Sequence, residues 1–364
     1  MLLLQLHVTA LRFRCHSTEI SVSLGLLSRE MGHLVAAPDK FRGTADAAQA
    51  AAAAARGARR AGWTTSEVPL ADGGDGLLSA FRGELRHDEV TGPLGTPVTA
   101  KWKLVPGTAR HAGPTAVIEM ANASGLLIAG GELGNDPMKA STVGTGQLIL
   151  RAVSLGATRV IVGCGGSATT DGGAGALGVI GSREALQGVK LVAACDVMTR
   201  FLDAAKIFAP QKGATPEQVE ALTARLEHLA DSYRADYGLD VTTLPGAGAA
   251  GGLAGGLAAL GAEIVSGFEL VADFVGLDNH LADADLVMTG EGYLDRQSFS
   301  GKVVGGVVRH VAGRVPILCI VGDADPDTDA VSLELVSLVA RVGPDKAQAK
   351  VLGLIEEVVA ERLS

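Results

Sequence analysis

The chain has 364 residues, a formal net charge of −9, and 47% apolar against only 4% aromatic residues. That length allows two domains with buried cores, and the composition excludes a disordered chain. There is no basic run of any length. A nucleic-acid partner is therefore excluded, because affinity for a phosphate backbone comes from clustered cations. No apolar stretch is long enough to span a bilayer, so no membrane partner is expected. The four cysteines (Cys15, Cys164, Cys195, Cys319) show no CxxC and no metal-ligand spacing. A cytoplasmic location is the simplest reading of that usage. Cys164 and Cys195 lie in apolar, strand-like runs and read as buried, inert thiols.

The chain opens MLLLQLHVTALRFRCHSTEI, with no basic segment ahead of the apolar residues and no clean cleavage site. A secretory signal is not expected. Residues 1–30 read instead as a disordered or loosely packed extension, with Met31 as an alternative start. The first strand is HLVAA, followed by the polar loop DKFRGT. An alanine-rich helix, TADAAQAAAAAARGARRAG, comes next, with Thr44 as its expected N-cap. The run SEVPLA predicts a second strand that stops at DGGDG, and a helix follows around LLSAFRG. LRHDEVTG, PVTAKWKLV and TAVIEM alternate or are β-branched, and predict strands linked by turns. STVGTGQLILRAVSLGA predicts a helix, and ATRVIVG a buried strand that delivers the loop GCGGSATTDGGAG. VKLVAACDV predicts a strand ending in an acid. The helix after it starts at Thr215 as N-cap, with Pro216 at N1 and Gln218 at N3, a capping-box pattern. Then come the glycine-rich LPGAGAAGGLAGGLAALG, the strand ADLVMTG, a helix through SGKVVGGVVRHVAG and the strand VPILCIVGD. A last strand, LVSLVARV, precedes the terminal helix KVLGLIEEVVAERL.

Strands alternating with helices predict an α/β protein with parallel sheets, whose ligands sit beyond the carboxyl ends of the strands. The turn-linked strands in the first third predict a second α/β domain inserted into the first. The expected division is a Rossmann-like domain of residues 31–67 plus 276–364 and an inserted domain of 68–275, with the active site in the cleft between them.

Five polar loops follow strands, where an open sheet places its chemistry: APDKFRGT, PLADGGDG, GCGGSATTDGG, ACDV with FAPQKGAT, and TGEGYLDRQSFSGK. In the third, Gly165 and Gly166 let the backbone approach an anion, and successive N–H groups can form a nest for it. Ser167, Thr169 and Thr170 offer hydroxyls for phosphate or Mg²⁺. A helix starting near Asp171 adds its positive end; alternatively Thr170 or Asp171 simply caps that helix. Glu291 and Asp295, with Lys302 beyond, suit Mg²⁺-assisted phosphoryl transfer, because the metal prefers a few oxygen ligands plus water; a salt-bridged surface loop gives the same pattern. Asp196 follows a buried strand directly and is expected to face the cleft. Lys40, Arg42 and Lys212 are candidate cations for a carboxylate or phosphate, although a lone cation is more often solvated. GAGAAG at Gly246 to Gly251 matches the dinucleotide pattern GxGxxG, but the preceding GLDVTTLP is short and broken by Pro245. It reads as a glycine-rich helix start, with Gly248 allowing close approach to a ligand or helix. The P-loop and protein-kinase signatures are missing, as are a G-x-S-x-G elbow and a metal-ligand histidine cluster.

In this order the loops resemble those of the bacterial glycerate kinase family, type I. The resemblance rests on APDKFRGT, PLADGGDG, TGPLG, IEMANASGL, STVGTGQLI, GCGGSATTDGGAGAL, ACDV, FAPQKGA, PGAGAAGG and TGEGYLDRQSFSGK, and covers His33 to the C-terminus. It implies two α/β domains and transfer of the γ-phosphoryl group of ATP to D-glycerate, usually at the 2-hydroxyl, with Mg²⁺. It also implies that Asp39, Lys40, Asp72 with Gly73 and Gly74, the Ser167–Asp171 loop, Asp196, Glu291 and Asp295 line the cleft. On this reading Asp196, or else Asp295, orients and deprotonates the acceptor hydroxyl. Lys40 or Lys212 offsets developing charge, and Asp171, Asp196, Glu291 and Asp295 are the Mg²⁺ candidates. The partners are glycerate and ATP, and a homodimer is the assembly considered. The sequence departs from the family pattern in a short SREALQG loop, in Arg200, in Ala209 and in Tyr293, which bears on how the substrate is held. The alternatives are an NAD-dependent oxidoreductase of a small hydroxy acid and a non-catalytic ligand-binding relative.

Overall fold

The structure is a computed structural model that describes residues 32–364 except 75, 108–110, 300 and 329–332. The reading of residues 1–30, and Cys15 with it, lies outside the described residues. In chain order the strands are β1 (His33–Ala36), β2 (Thr64–Glu67), β3 (Glu84–Thr91), β4 (Pro97–Val105), β5 (Thr115–Glu119) and β6 (Arg159–Gly163). Then follow β7 (Lys190–Cys195), β8 (Glu263–Ser266), β9 (Leu286–Leu294), β10 (Ile317–Ala324) and β11 (Glu334–Ser337). One sheet has the order β11-β10-β9-β1-β2 and every pairing in it is parallel. The other has the order β3-β4-β5-β6-β7-β8. Its β3-β4-β5 end is antiparallel and the rest is parallel. The chain is therefore α/β with two mostly parallel sheets. The first draws its strands from both ends of the described chain, the second from the segment between.

The period of two in a strand sends alternate residues to opposite faces, and the cores follow that rule. Leu34, Ala36 and Met288 pack with the alanine-rich helix Ala47–Arg60 and the C-terminal helix Val351–Leu363. Ala116, Ile118, Val160 and Val162 pack with Trp102, Leu148 and Phe201 on the outer face of the second sheet. The intervening residues, Val35 and Val287 of one sheet and Val117, Ile161 and Val192 of the other, share one core with Phe268, Val303 and Val307. The two sheets thus face each other across helices Gly267–Val275 and Val303–Val311.

Most expected elements are present, and the differences have local causes. The alanine-rich helix is capped by Asp46, whose side chain accepts from the Gln49 N–H in a complete capping box; Thr44 instead donates to the Phe41 carbonyl in the preceding turn. The second strand is Thr64–Glu67, because Pro69 lacks a donor. Its ladder nevertheless continues through Val68 N–H to Ala36 O and Leu70 N–H to Pro38 O. The expected last strand shrinks to Glu334–Ser337, and LVARV forms the helix Leu338–Val342, capped by Ser337. Strand β8 and helix Gly267–Val275 were not anticipated. The helix at Thr215 has the expected N-cap, Pro216 and capping box. Cys164, Cys195 and Cys319 are free and buried. Burial pushes the Cys195 thiol up to about 11 and the Cys319 thiol to about 12.

Candidate active site

The carboxyl ends of β1, β2, β7 and β9 deliver acids to one place. Beyond β1, the Asp39 N–H donates to Gly290 O at 2.8 Å, so the loop keeps its register with β9. The extended segment after β2 leads to Asp72, whose Oδ1 accepts from the Gly74 N–H at 3.2 Å. That loop is wedged against the second sheet. A Cβ on Gly73 (φ +93°) would lie 2.8 Å from Gly267 Cα and 3.2 Å from the Ala194 carbonyl carbon, next to the end of β7. Asp196 stands just beyond that end. Glu291 lies within β9, which runs on to Leu294 and is not a loop at this point. The short helix Leu77–Ala80, which follows the Asp72 loop, is fixed at both ends. Glu119 Oε1 accepts from the N–H groups of Gly76 and Leu78, and the Lys103 ammonium donates to the carbonyls of Leu78 and Phe81.

Charged side chains gather there, and Asp39 and Asp72 among them are buried. Asp39 is 5% exposed. Burial pushes its carboxyl up to about 7, with Lys40 pulling the other way and Asp72 and Glu291 adding to the rise. The Lys40 N–H donates to Asp39 Oδ1 at 2.7 Å, and Lys40 Nζ lies 3.9 Å from the same oxygen. Burial and then Asp72 raise Asp196, while Lys302 and Lys40 counter them. Glu291 is raised by burial, with Asp295 and Asp72 adding, against Ser298 and Lys302. Its Oε1 is buried without a hydrogen-bond partner. Asp295 Oδ1 accepts from the Ser298 N–H at 2.9 Å, which fixes the carboxylate beside that of Glu291. These mutual shifts show the acids of both sheets sharing one electrostatic environment with Lys40 and Lys302.

The glycine loop after β6 builds a separate wall. A cavity of about 180 Å³ is lined by Gly165, Gly166, Ser167, Asp196, Lys212 and Phe208, among others. Lys212, only 3% exposed, donates to Ser167 Oγ at 2.8 Å and to Thr169 O at 2.7 Å. Burial pushes its ammonium down to about 7, with Asp171 opposing. Gly251 (φ +66°) lets the turn Ala249–Gly252 close onto this loop; a Cβ there would lie 2.0 Å from Thr169 O. A second cavity, about 360 Å³, is lined by Lys40, Arg42, Gly76, Ser79 and Lys101, among others. Another cavity, about 690 Å³ along helix Pro216–Tyr237, carries none of these acids.

The sequence model of the Glycerate kinase family matches residues 34–185 and 179–357. The chain belongs to the glycerate kinase family. The two matched stretches meet at the short SREALQG loop. Among the similar relatives is the glycerate 2-kinase of Escherichia coli K12, 38% identical over an alignment of 338 residues that covers 82% of this chain and 87% of that protein. A glycerate kinase of Bacillus subtilis 168 is 37% identical over 337 residues, with the same coverage, 82% and 87%. A crystal structure described as a glycerate kinase 2 from Salmonella typhimurium LT2 superposes with a TM-score of 0.78 at 34% identity. It covers 91% of this chain and 97% of its own.

Within this member of the glycerate kinase family, the expected residues separate into groups. Asp39, Lys40, Asp72, Asp196, Glu291 and Lys302 are electrostatically coupled, with Asp295 beside them. Gly165, Gly166, Ser167 and Lys212 line the small cavity with Asp196. Arg42 is exposed and lines the larger one. Asp171 is committed elsewhere. Its Oδ2 accepts from the Thr142 N–H, the Thr142 hydroxyl and the Gly175 N–H, and its Oδ1 from the Gly173 N–H. These bonds engage both carboxylate oxygens, which leaves little room for a metal, while the N-cap of the next helix is Gly173. The helix that follows spans only Ala174–Ile180. Thr169 is fully buried, its hydroxyl accepting from the Asp171 N–H, while the buried Thr170 hydroxyl has no hydrogen-bond partner. Gly248 serves packing: its N–H donates to Thr199 O, and a Cβ would strike the Arg200 carbonyl. Gly246 to Gly251 follow the 3₁₀ turn Val241–Thr243 and not a strand, so the dinucleotide reading lacks its context. Tyr293 is 53% exposed. Sequence reasoning missed Glu119 and Lys103 as clamps on the helix after Asp72; IEMANASGL contained Glu119, but its partners are more than forty residues away.

Proposed function

We propose that this protein transfers the γ-phosphoryl group of ATP to the 2-hydroxyl of D-glycerate, releasing 2-phosphoglycerate and ADP, with Mg²⁺ as cofactor. The observation that carries the reading is Asp196. It is a half-buried carboxyl with a raised pKa, it opens into a cavity the size of a small hydroxy acid, and it shares charge with Lys40 and Lys302. A carboxylate with a raised pKa is a stronger base than a free one, which suits general-base work. Asp196 accepts the hydroxyl proton as the acceptor oxygen bonds to the γ-phosphorus, and the bond from that phosphorus to the β–γ bridging oxygen breaks. Lys40 and Lys302 stabilise the charge that develops, and Lys40 and Arg42 draw the nucleotide's phosphates toward the larger cavity. Phosphoryl transfer needs mainly positioning and electrostatics, which this arrangement supplies.

The residues suit Mg²⁺ in the mode it uses with phosphates. Among the described residues no group of three or more His, Cys, Asp or Glu side chains could hold an ion on its own. Mg²⁺ commonly takes one or two carboxylates and fills its shell with water and phosphate oxygens. The buried, unpartnered Glu291 Oε1 beside Asp295 offers such a pair. Bound there, the ion would neutralise phosphate charge.

The proposal includes two domains, 31–67 plus 276–364 and 68–275, closing on the substrates to exclude water. It also takes the enzyme as cytoplasmic and as a homodimer, the latter read by light scattering. No described helix is long and apolar enough to cross a membrane. The test is ADP release from ATP, Mg²⁺ and D-glycerate by the purified protein. Melting-temperature shifts with ATP and NAD are run in parallel. Stabilisation by NAD alone, without turnover of glycerate, would overturn the proposal.

A further inference from the structure

Lys212 presents an imbalance that the loop alone does not resolve. Its ammonium is nearly inaccessible, yet among the described residues no carboxylate lies within 4.0 Å of it. Asp171, the acid whose charge it feels, has its oxygens occupied by Thr142, Gly173 and Gly175. A buried charge without a counter-ion is costly and calls for an anion. An ammonium has three N–H donors; two go to Ser167 Oγ and Thr169 O. The third N–H, and the hydroxyl proton of Ser167, remain for a ligand. Both side chains line the 180 Å³ cavity, as does Asp196.

The size of that cavity selects the ligand class. It is below the roughly 300–1,000 Å³ of pockets that enclose drug-sized molecules, so it can take in a small acid whole but a nucleotide only in part. It holds the equivalent of about six waters at ~30 Å³ each, the scale of a three-carbon hydroxy acid. Leu126, Val197 and Phe208 form its apolar side.

We propose that Lys212 and Ser167 hold the carboxylate of the acceptor acid in this cavity, leaving the acid's hydroxyl within reach of Asp196. This assignment rests on the kinase reading above and adds to it which wall holds the acid. The glycine loop is then an acceptor site, and ATP enters from the side of Lys40 and Arg42. Lys212 is a specificity-determining residue: it makes the enzyme require an anion next to the hydroxyl.

The test compares D-glycerate with its uncharged amide, glyceramide, as acceptors for the unsubstituted enzyme and for Lys212→Gln, which keeps a donor for Ser167 and Thr169 but removes the charge. The unsubstituted enzyme is expected to prefer glycerate. In the variant, KM for glycerate rises on the order of 100-fold, the worth of a charge-assisted hydrogen bond. KM for ATP stays within about twofold, and the preference for glycerate over the amide collapses toward parity. A merely structural lysine would lower kcat for both acceptors and leave the preference intact, and that result overturns the assignment. Ser167→Ala is the second variant, useful if Lys212→Gln does not fold. It should raise KM for glycerate about tenfold with KM for ATP unchanged, and an unaltered glycerate KM overturns the assignment equally. If the unsubstituted enzyme phosphorylates no hydroxy acid, the kinase reading itself fails, which is a separate result.

Discussion

Gly267→Ala tests the contact by which the structure brings the two sets of acids together. A Cβ at Gly267 would lie 2.1 Å from the Asp72 carbonyl oxygen and 2.4 Å from both the Asp72 carbonyl carbon and Gly73 Cα. Favourable contacts of this kind sit near 3.5–4.0 Å, so the overlap exceeds an ångström. The atoms struck are backbone, and they cannot retreat. Behind them Gly73 already abuts the main chain of Ala194. Overpacking of this sort costs about 1–3 kcal/mol. The substitution also places alanine at the first residue of helix Gly267–Val275, a gain of at most about 1 kcal/mol. The net expectation is a loss of about 1–2 kcal/mol, read as a lower urea midpoint at unchanged slope. Displacing Asp72 by even an ångström should also lower kcat/KM by on the order of 100-fold. The matched control is Gly353→Ala, at an exposed glycine in the first turn of helix Val351–Leu363 with nothing within 4 Å of its added Cβ. It should stabilise by at most about 1 kcal/mol and leave activity unchanged. If Gly267→Ala proves as stable and as active as the parent, the Asp72 loop does not pack against the second sheet as described.

Three further predictions concern charge. Asp39→Asn should stabilise the ligand-free protein, and the gap from the parent should widen between pH 5 and pH 8. The Asp39 carboxyl is raised to about 7 by burial. Its contribution to stability is therefore complete below the ordinary carboxylate range and is lost as pH rises through 7; a flat difference across that range contradicts the shift. Lys212 acts in the opposite sense. Its ammonium, lowered to about 7, makes folding stability rise with pH between 7 and about 10.4, a slope that Lys212→Gln should abolish in pH-dependent urea unfolding. Asp196→Asn should reduce kcat by about 10²–10⁴-fold with little change in KM for ATP; unchanged kcat would remove Asp196 from the base role.

What could be read from the sequence was local. The capping box at Thr215, the buried runs of β6 and β7, and the acid immediately after β7 all depend on neighbours within a few residues. The order of polar loops at strand ends was enough to reach the family. Properties set by distant partners were not legible. Lys212 in FAPQK looks like any surface lysine until the fold buries it against Ser167 and Thr169. Asp171 looked like a metal ligand because its partner Thr142 lies 29 residues away. LVARV is an apolar run that suits strand or helix equally, and the Ser337 cap decides for helix. Strand β8 is four residues at a sheet edge, too short for its period to register. Gly73 was legible as part of the DGGDG stop, but only the fold shows that it and Gly267 make room for each other.

³¹P NMR of the product shows most directly whether the phosphoryl group goes to the 2-hydroxyl of glycerate. With D-glycerate, ATP and Mg²⁺, a single new phosphomonoester coupled to the proton on carbon 2 is expected, formed in step with ADP. A product phosphorylated only at carbon 3, or ATP bound with no phosphoglycerate formed, would refute the proposed function.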